Sequence, residues 1–223
     1  MTRKPPLVKI CGLSTAASLA AALDAGADMV GFVFFGPSPR NISLSEAEAL
    51  GRLVKGRAKK VALTVDADDA LIDAISRALS PDILQLHGKE TPARAAALSA
   101  RTGKQVMKAI GVSDRADLAA VQPFAAVCDW LLLDAKPPRD ATRPGGNGLA
   151  FDWSILDGFS PAKPWLLSGG LTPANVAEAL TRTGAPGVDV SSGVESAPGV
   201  KDEAAIRAFV KAVRGLSPTG ARG

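Results

Sequence analysis

Along this chain, short runs of consecutive apolar residues take turns with longer, Ala-rich stretches in which apolar positions recur every three or four residues. The short runs read as buried strands and the longer stretches as amphipathic helices. Strands are predicted at Leu7–Cys11, Met29–Phe34, Lys60–Val65, Ile83–His87, Val106–Ile110, Trp130–Asp134, Trp165–Ser168 and Gly187–Val190. Helices are predicted at Thr15–Ala25, Ser45–Val54, Asp69–Leu79, Pro92–Arg101, Pro173–Arg182 and Glu203–Val213. Ser14, Ser43 or Ser45, and Thr172 stand where helix caps belong, and Pro173 suits a first helical position. Strands separated by helices need crossover connections, which implies a parallel sheet. Eight such units point to a closed (β/α)8 TIM barrel of the α/β class, with a doubly wound sheet as the runner-up.

The polar residues inside these strands favour the barrel. Side chains alternate across a strand, so Lys9 and Cys11 share one face while Val8 and Ile10 share the other. Gln85 pairs with His87 in the same way, Leu132 with Asp134, and Asp189 with Ser191. Polar groups thus collect on one parity, the one that in a barrel points inward and approaches the mouth at the strands' carboxyl ends. A doubly wound sheet buries both strand faces and has no need of this pattern.

Composition narrows the function classes. With 223 residues and 47% hydrophobic content, the chain can bury a large core as a single domain, expected over residues 1–214, followed by a short flexible tail at 215–223. Its 26 Lys and Arg against 22 Asp and Glu leave a net charge of +4. No basic block with interleaved aromatics signals nucleic acid. No apolar run reaches the ~18 residues of a membrane span, and no secretory leader is evident. Cys11 and Cys128 match no metal spacing, so a reduced, cytoplasmic protein is the simplest reading. The absence of Tyr and the 4% aromatic content argue weakly against a large aromatic-anchored interface, and monomer and homodimer both stay open.

Two glycine-rich turns follow the last two predicted strands, Ser168-Gly169-Gly170 and Ser191-Ser192-Gly193. Barrels bind phosphate at this place through backbone N–H groups and a helix N-terminus; either turn alone is equally a simple tight turn. Residues 136–148, rich in Pro, Arg and Gly, are long for a βα connection and read as a lid or a loop.

The ordered motifs KICG (9–12), SPRNI (38–42), QLHG (85–88), LLLDA (131–135), GGNG (145–148) with FDW (151–153), SGGL (168–171) and GVDVSSGVE (187–195) resemble the phosphoribosylanthranilate isomerase family of tryptophan biosynthesis. The resemblance covers about residues 7 to 202. It implies a (β/α)8 barrel that converts N-(5-phosphoribosyl)anthranilate to 1-(2-carboxyphenylamino)-1-deoxyribulose 5-phosphate. This is an Amadori rearrangement of a small phosphorylated substrate, without cofactor or metal.

Ring opening of the furanose requires a proton on the ring oxygen, and the resulting imine must then lose its C2 proton. By the resemblance, Asp134 is the general acid and Cys11 the general base. Free Asp ionises near 3.9 and free Cys near 8.5, so the site must tune both. Lys9, or a helix N-terminus near Gly12 and Leu13, would favour the thiolate. Without the motif, Cys11 is more often a small buried hydrophobe than a base; the motif context reverses that. The resemblance further assigns Arg40 to the anthranilate carboxylate, which suits a guanidinium fork. It gives His87 a hydrogen bond to substrate, and Asp189 the sugar hydroxyls or the orientation of the site. The bland alternative for Asp189 is a pair with Lys9 or Lys108 inside the barrel. Gly169, Gly170, Ser191, Ser192 and Gly193 are implied to hold the phosphate, while Cys128 only packs.

Two positions depart from the family's usual residues: Asn147 stands where a hydroxyl residue is commoner, and Ser168 where alanine is commoner, adding a donor near the phosphate or nothing. Two other functions compete. A histidine-pathway or dual-substrate sugar-phosphate isomerase shares the phosphate site but carries an aspartate where Cys11 stands. A catalytically silent barrel would bind a phosphorylated ligand without turnover, and has no need of both Cys11 and Asp134.

Overall fold

A computed structural model of the chain describes residues 4–136 and 151–216. Eight strands close into one parallel barrel in chain order: β1 (Leu7–Cys11), β2 (Met29–Phe34), β3 (Lys59–Thr64), β4 (Ile83–Leu86), β5 (Gln105–Val112), β6 (Trp130–Ala135), β7 (Trp165–Leu167) and β8 (Gly187–Val190). The ring closes where Leu7 to Ile10 of β1 pair with Gly187 to Val190 of β8. Around it pack α1 (Ala16–Ala25), α2 (Leu44–Val54), α3 (Asp69–Leu79), α4 (Pro92–Thr102), α5 (Val121–Ala125), α6 (Val176–Thr183) and α7 (Glu203–Arg214).

Side-chain parity sorts the core into two bodies. Val8, Ile10, Val30, Phe32, Leu84, Leu131 and Leu133 face outward and merge with the buried helix faces into the main core. Inside the barrel, Met29, Val61, Ile83, Met107, Ala109, Leu132 and Leu166 fill the lower interior, and Cys11, Val33 and Leu63 form a smaller cluster. Of the inward polar positions read from the sequence, Lys9, Gln85, Asp134 and Asp189 are buried, while His87 and Ser191, nearer the mouth, are partly exposed.

Local chemistry explains most boundaries. Ser43 caps α2 with a full capping box, its hydroxyl accepting from Glu46 N–H while the Glu46 carboxylate accepts from Ser43 N–H. Asp68, Thr91 and Asp202 cap α3, α4 and α7. Two expected starts are corrected. Thr15, not Ser14, caps α1, because its hydroxyl accepts from Ser18 N–H. Helix α6 begins at Val176 rather than Pro173, since Thr172 N–H donates to Asn175 Oδ1 and Asn175 Nδ2 donates to Gly170 O, which folds residues 170–175 into a turn.

Between β5 and β6 a 3-10 turn (Arg115–Ala120) precedes the single turn of α5. Another 3-10 turn, Trp153–Leu156, precedes β7. After β8, a hairpin of β9 (Glu195–Ala197) and β10 (Val200–Lys201) stands over the mouth. Pro198-Gly199 makes its turn, and Gly199 (φ +83°) lies so close to Pro39 that a Cβ there would be 2.4 Å from Pro39 O. The tail expected from residue 215 is partly helical in its bonding: Gly215 and Leu216 donate to Lys211 O and Val213 O, and Leu216 packs against the core. Residues 217–223 of that tail, most of the 136–148 connection and Asn147 lie outside the described residues. No described helix is long and apolar enough to cross a membrane.

Candidate active site

The last residue of β1 is Cys11, its thiol turned into the barrel and 3% exposed. The adjacent residue of β2 is Gly31, where a Cβ would be 2.9 Å from Cys11 Sγ. The missing side chain is therefore what makes room for the thiol. Burial pushes the Cys11 thiol above its ordinary value, while the ammonium groups of Lys9 and Lys201 pull in the other direction without cancelling it.

Lys9 is fully buried and donates to Asp189 Oδ1 at 2.7 Å on the neighbouring strand β8, and its own pKa is held up. Desolvation pulls that value down, but Asp189 and Cys11 more than offset it. Asp189 Oδ2 accepts from Ser168 Oγ at 3.2 Å. Ser168 is thus committed to Asp189, and Lys9, not Lys108, is the acid's partner. Lys108 is on the outward parity of β5, where it donates to Glu90 Oε2 at 2.8 Å and to the carbonyls of Gly88 and Leu86. That buried cluster pins the loop that follows His87.

Asp134 occupies the inward position near the end of β6, three strands from Cys11 around the ring. Its Oδ1 accepts from Ala135 N–H at 2.9 Å, and His87 Nε2 is 3.3 Å from Oδ2. On the other side of the ring, Gln85 Nε2 is 3.1 Å from His87 Nδ1. The sole histidine of the chain therefore touches Asp134, an acid-to-ring contact the sequence reading did not make.

Arg40 is almost fully buried, with its aliphatic part lying over Gly12: a Cβ on Gly12 (φ +76°) would be 2.6 Å from Arg40 Cδ. Its guanidinium forms a fork with Glu195, Nε donating to Oε1 at 2.7 Å and Nη2 to Oε2 at 2.8 Å. The side edge of the guanidinium is thus taken by a carboxylate of the protein. The end edge, built on Nη1, has no hydrogen-bond partner among the described residues. Glu195 Oε1 also accepts from Lys201 Nζ at 2.7 Å, and these two cations hold its carboxyl below the usual range despite burial.

Lys201 and Glu195 are the residues missed from the sequence as site residues. Lys201 is buried, donates to Ser191 O at 2.9 Å and Ser191 Oγ at 3.2 Å, and acts on Cys11 through its charge. The Pro198-Gly199 turn between a Glu and a Lys was the available signal, since Pro at the second and Gly at the third position of a turn mark a tight reversal.

The two glycine-rich turns meet. Gly193 lies in the 3-10 turn Ser192–Val194, and a Cβ on it would be 1.8 Å from Leu171 O. Gly169 and Gly170 both have positive φ, +88° and +62°, and Gly169 backs onto Ala135, next to Asp134. The Ser191 hydroxyl donates to Cys11 O at 3.1 Å, joining the ends of β8 and β1. Ser192 has no side-chain hydrogen bond among the described residues. Cys128 lies away from the mouth in the outer core, where burial raises its thiol to about 11.

The chain matches the family model described as N-(5'phosphoribosyl)anthranilate (PRA) isomerase over residues 8–212. It belongs to that family. A relative from Bradyrhizobium diazoefficiens named N-(5'-phosphoribosyl)anthranilate isomerase is 62% identical over 208 residues, covering 93% of each chain. The crystal structure of phosphoribosyl anthranilate isomerase from Thermotoga maritima superposes with a TM-score of 0.85 at 35% identity, over 95% of this chain and all of that one. A phosphoribosyl anthranilate isomerase structure in complex with reduced 1-(o-carboxyphenylamino)-1-deoxyribulose 5-phosphate has a TM-score of 0.83 at 32% identity, with the same coverage.

Proposed function

We propose that Cys11 and Asp134 divide the two proton transfers of the isomerisation between them. The chain is a phosphoribosylanthranilate isomerase of tryptophan biosynthesis, converting N-(5-phosphoribosyl)anthranilate to 1-(2-carboxyphenylamino)-1-deoxyribulose 5-phosphate. The observation that carries the reading is the placing of a buried thiol and a buried carboxyl at the ends of β1 and β6, beside two abutting glycine turns.

In this reading Asp134 protonates the furanose ring oxygen. The C1–O bond breaks and the nitrogen lone pair forms the imine. The Cys11 thiolate then removes the C2 proton, its electrons forming the C1–C2 double bond of the enolamine, which relaxes to the ketone. Burial makes the thiolate scarce at neutral pH but strongly basic once formed. Lys9 and Lys201 are the groups that make it accessible.

Arg40 takes the anthranilate carboxylate on its end edge, with Glu195 fixing the plane of the guanidinium. The N–H groups of Gly169, Gly170, Ser192 and Gly193 receive the phosphate, where backbone donors gathered by glycines hold an anion without a side chain intervening. Asp189, with both oxygens engaged, orients Lys9 and Ser168, and its remaining lone pairs are available to sugar hydroxyls. We assign the enzyme to the cytoplasm and to catalysis without a cofactor.

The test is loss of substrate fluorescence with purified protein, with product identity fixed by mass and retention time. Conversion to the carboxyphenylamino-deoxyribulose phosphate is expected. Binding of the reduced product analogue without turnover would overturn the assignment in favour of a silent phosphate-binding barrel.

A further inference from the structure

Gln85 is an expensive residue for its position. It is wholly buried on the inward face of β4, opposite Leu63 of β3 and Met107 of β5. Its Oε1 is buried with no hydrogen-bond partner among the described residues. An orphan carbonyl of this kind is left with its desolvation uncompensated, and a Leu or Met would fill the same space without that cost. What the amide gains is a contact from Nε2 to Nδ1 of His87, at 3.1 Å.

An amide nitrogen only donates, so the Nδ1 facing it must be the bare, accepting nitrogen of the ring. The ring proton then sits on Nε2, the atom 3.3 Å from Asp134 Oδ2. A ring fixed in this tautomer offers Asp134 a donor and no acceptor. It cannot take the acid's proton, which leaves the substrate as its destination, and it stabilises the carboxylate that remains after the transfer.

We propose that Gln85 is a positioning residue that fixes the tautomer of His87 and thereby secures Asp134, not His87, as the proton donor of the reaction. The proposal rests on the reading of Asp134 as the acid. It is nonetheless separable from that reading, because the tautomer is measured without turnover.

His87 is the only histidine in 223 residues, so its two ring nitrogens give one unambiguous set of long-range 1H–15N correlations. The intact protein is expected to show the Nε2–H tautomer at neutral pH. Gln85→Met should collapse the two 15N shifts toward each other as the tautomers mix, and lower kcat about tenfold, the loss of one hydrogen bond's worth of orientation, with KM within about twofold. Gln85→Glu, whose carboxylate accepts, should move the proton to Nδ1 and lower kcat further. An Nδ1–H tautomer in the intact protein overturns the proposal with no variant required. A Gln85→Met protein that keeps the wild-type tautomer also overturns it, whether or not kcat falls, since a fall would then come from packing. Full activity in Asp134→Asn would instead remove the acid reading while leaving the tautomer measurement standing.

Discussion

Replacing Gly193 by Ala tests whether the turns after β7 and β8 form one cradle. Gly193 has no positive φ, so alanine is conformationally acceptable and the effect is one of space alone. The new Cβ would be 1.8 Å from the carbonyl oxygen of Leu171 and 2.9 Å from its carbonyl carbon. Ordinary contact begins near 3.4 Å, so the two turns must part by about 1.6 Å, and the obstacle is backbone rather than the free end of a side chain. Overpacking of this sort costs about 1–3 kcal/mol. A displacement of about 1 Å in a positioning element can cost ~100-fold in catalysis. Gly36→Ala is the control, since nothing lies within 4 Å of a Cβ there and its φ is not positive. Steady-state kinetics with a urea unfolding curve for each variant reads both effects. The expected result is a rise in KM of ten- to a hundredfold for Gly193→Ala, beyond what the lost stability explains, and no change for Gly36→Ala. Wild-type KM in folded Gly193→Ala would refute the shared cradle.

With Cys11 proposed as the base, the reaction needs its thiolate, and burial holds its thiol up, so kcat/KM is expected to climb with pH through that ionisation. Lys201→Met removes one opposing cation, and should shift the climb to higher pH and lower kcat/KM roughly 3–10-fold at pH 7; a pH–rate profile decides it, and an unmoved limb would refute the charge coupling. Glu195→Gln loosens the fork on Arg40, and is expected to raise KM about tenfold with kcat changed less than threefold, read by the same kinetics. Asp117 accepts from Ser113, Asp114 and Lys136, and Lys136, two residues past Asp134, ties the end of β6 to the β5 connection. Its carboxyl is lowered to about 2, the hydrogen bonds outweighing the desolvation that opposes them. A depressed carboxyl stabilises the fold above its unfolded value near 4, and that contribution fades as pH falls toward 2. Asp117→Asn is therefore expected to cost about 1–2 kcal/mol at pH 7 and almost nothing at pH 2, by chemical denaturation at both.

The barrel was legible because the inward parity of its strands carries polar residues where a sheet buried on both faces would not. Lys9 and Cys11, two apart on β1, both point inward by that rule, and so does Asp134. The partners of these groups were harder to read. Arg40 and Glu195 are 155 positions apart and meet only because the β9–β10 hairpin docks on Pro39. The same hairpin carries Lys201, which pairs with Glu195 and bears on Cys11 only through its charge. Periodicity sees one element at a time, so it registered neither ion pair. The Thr172-Pro173 pair looked like a helix start, yet Asn175 captures Thr172 N–H and delays the helix by a turn. Lys108 was placed in the barrel as a possible partner of Asp189, although its even position between Met107 and Ala109 sends it outward to Glu90.

The division of labour between Cys11 and Asp134 is the central claim. Its most direct test is turnover by Cys11→Ala and Asp134→Asn, each first shown to bind reduced 1-(o-carboxyphenylamino)-1-deoxyribulose 5-phosphate with wild-type affinity. The account predicts that both variants bind and that each loses at least about 100-fold in kcat. A variant that binds the analogue and still turns over within a few fold of the wild type would contradict the role assigned to that residue.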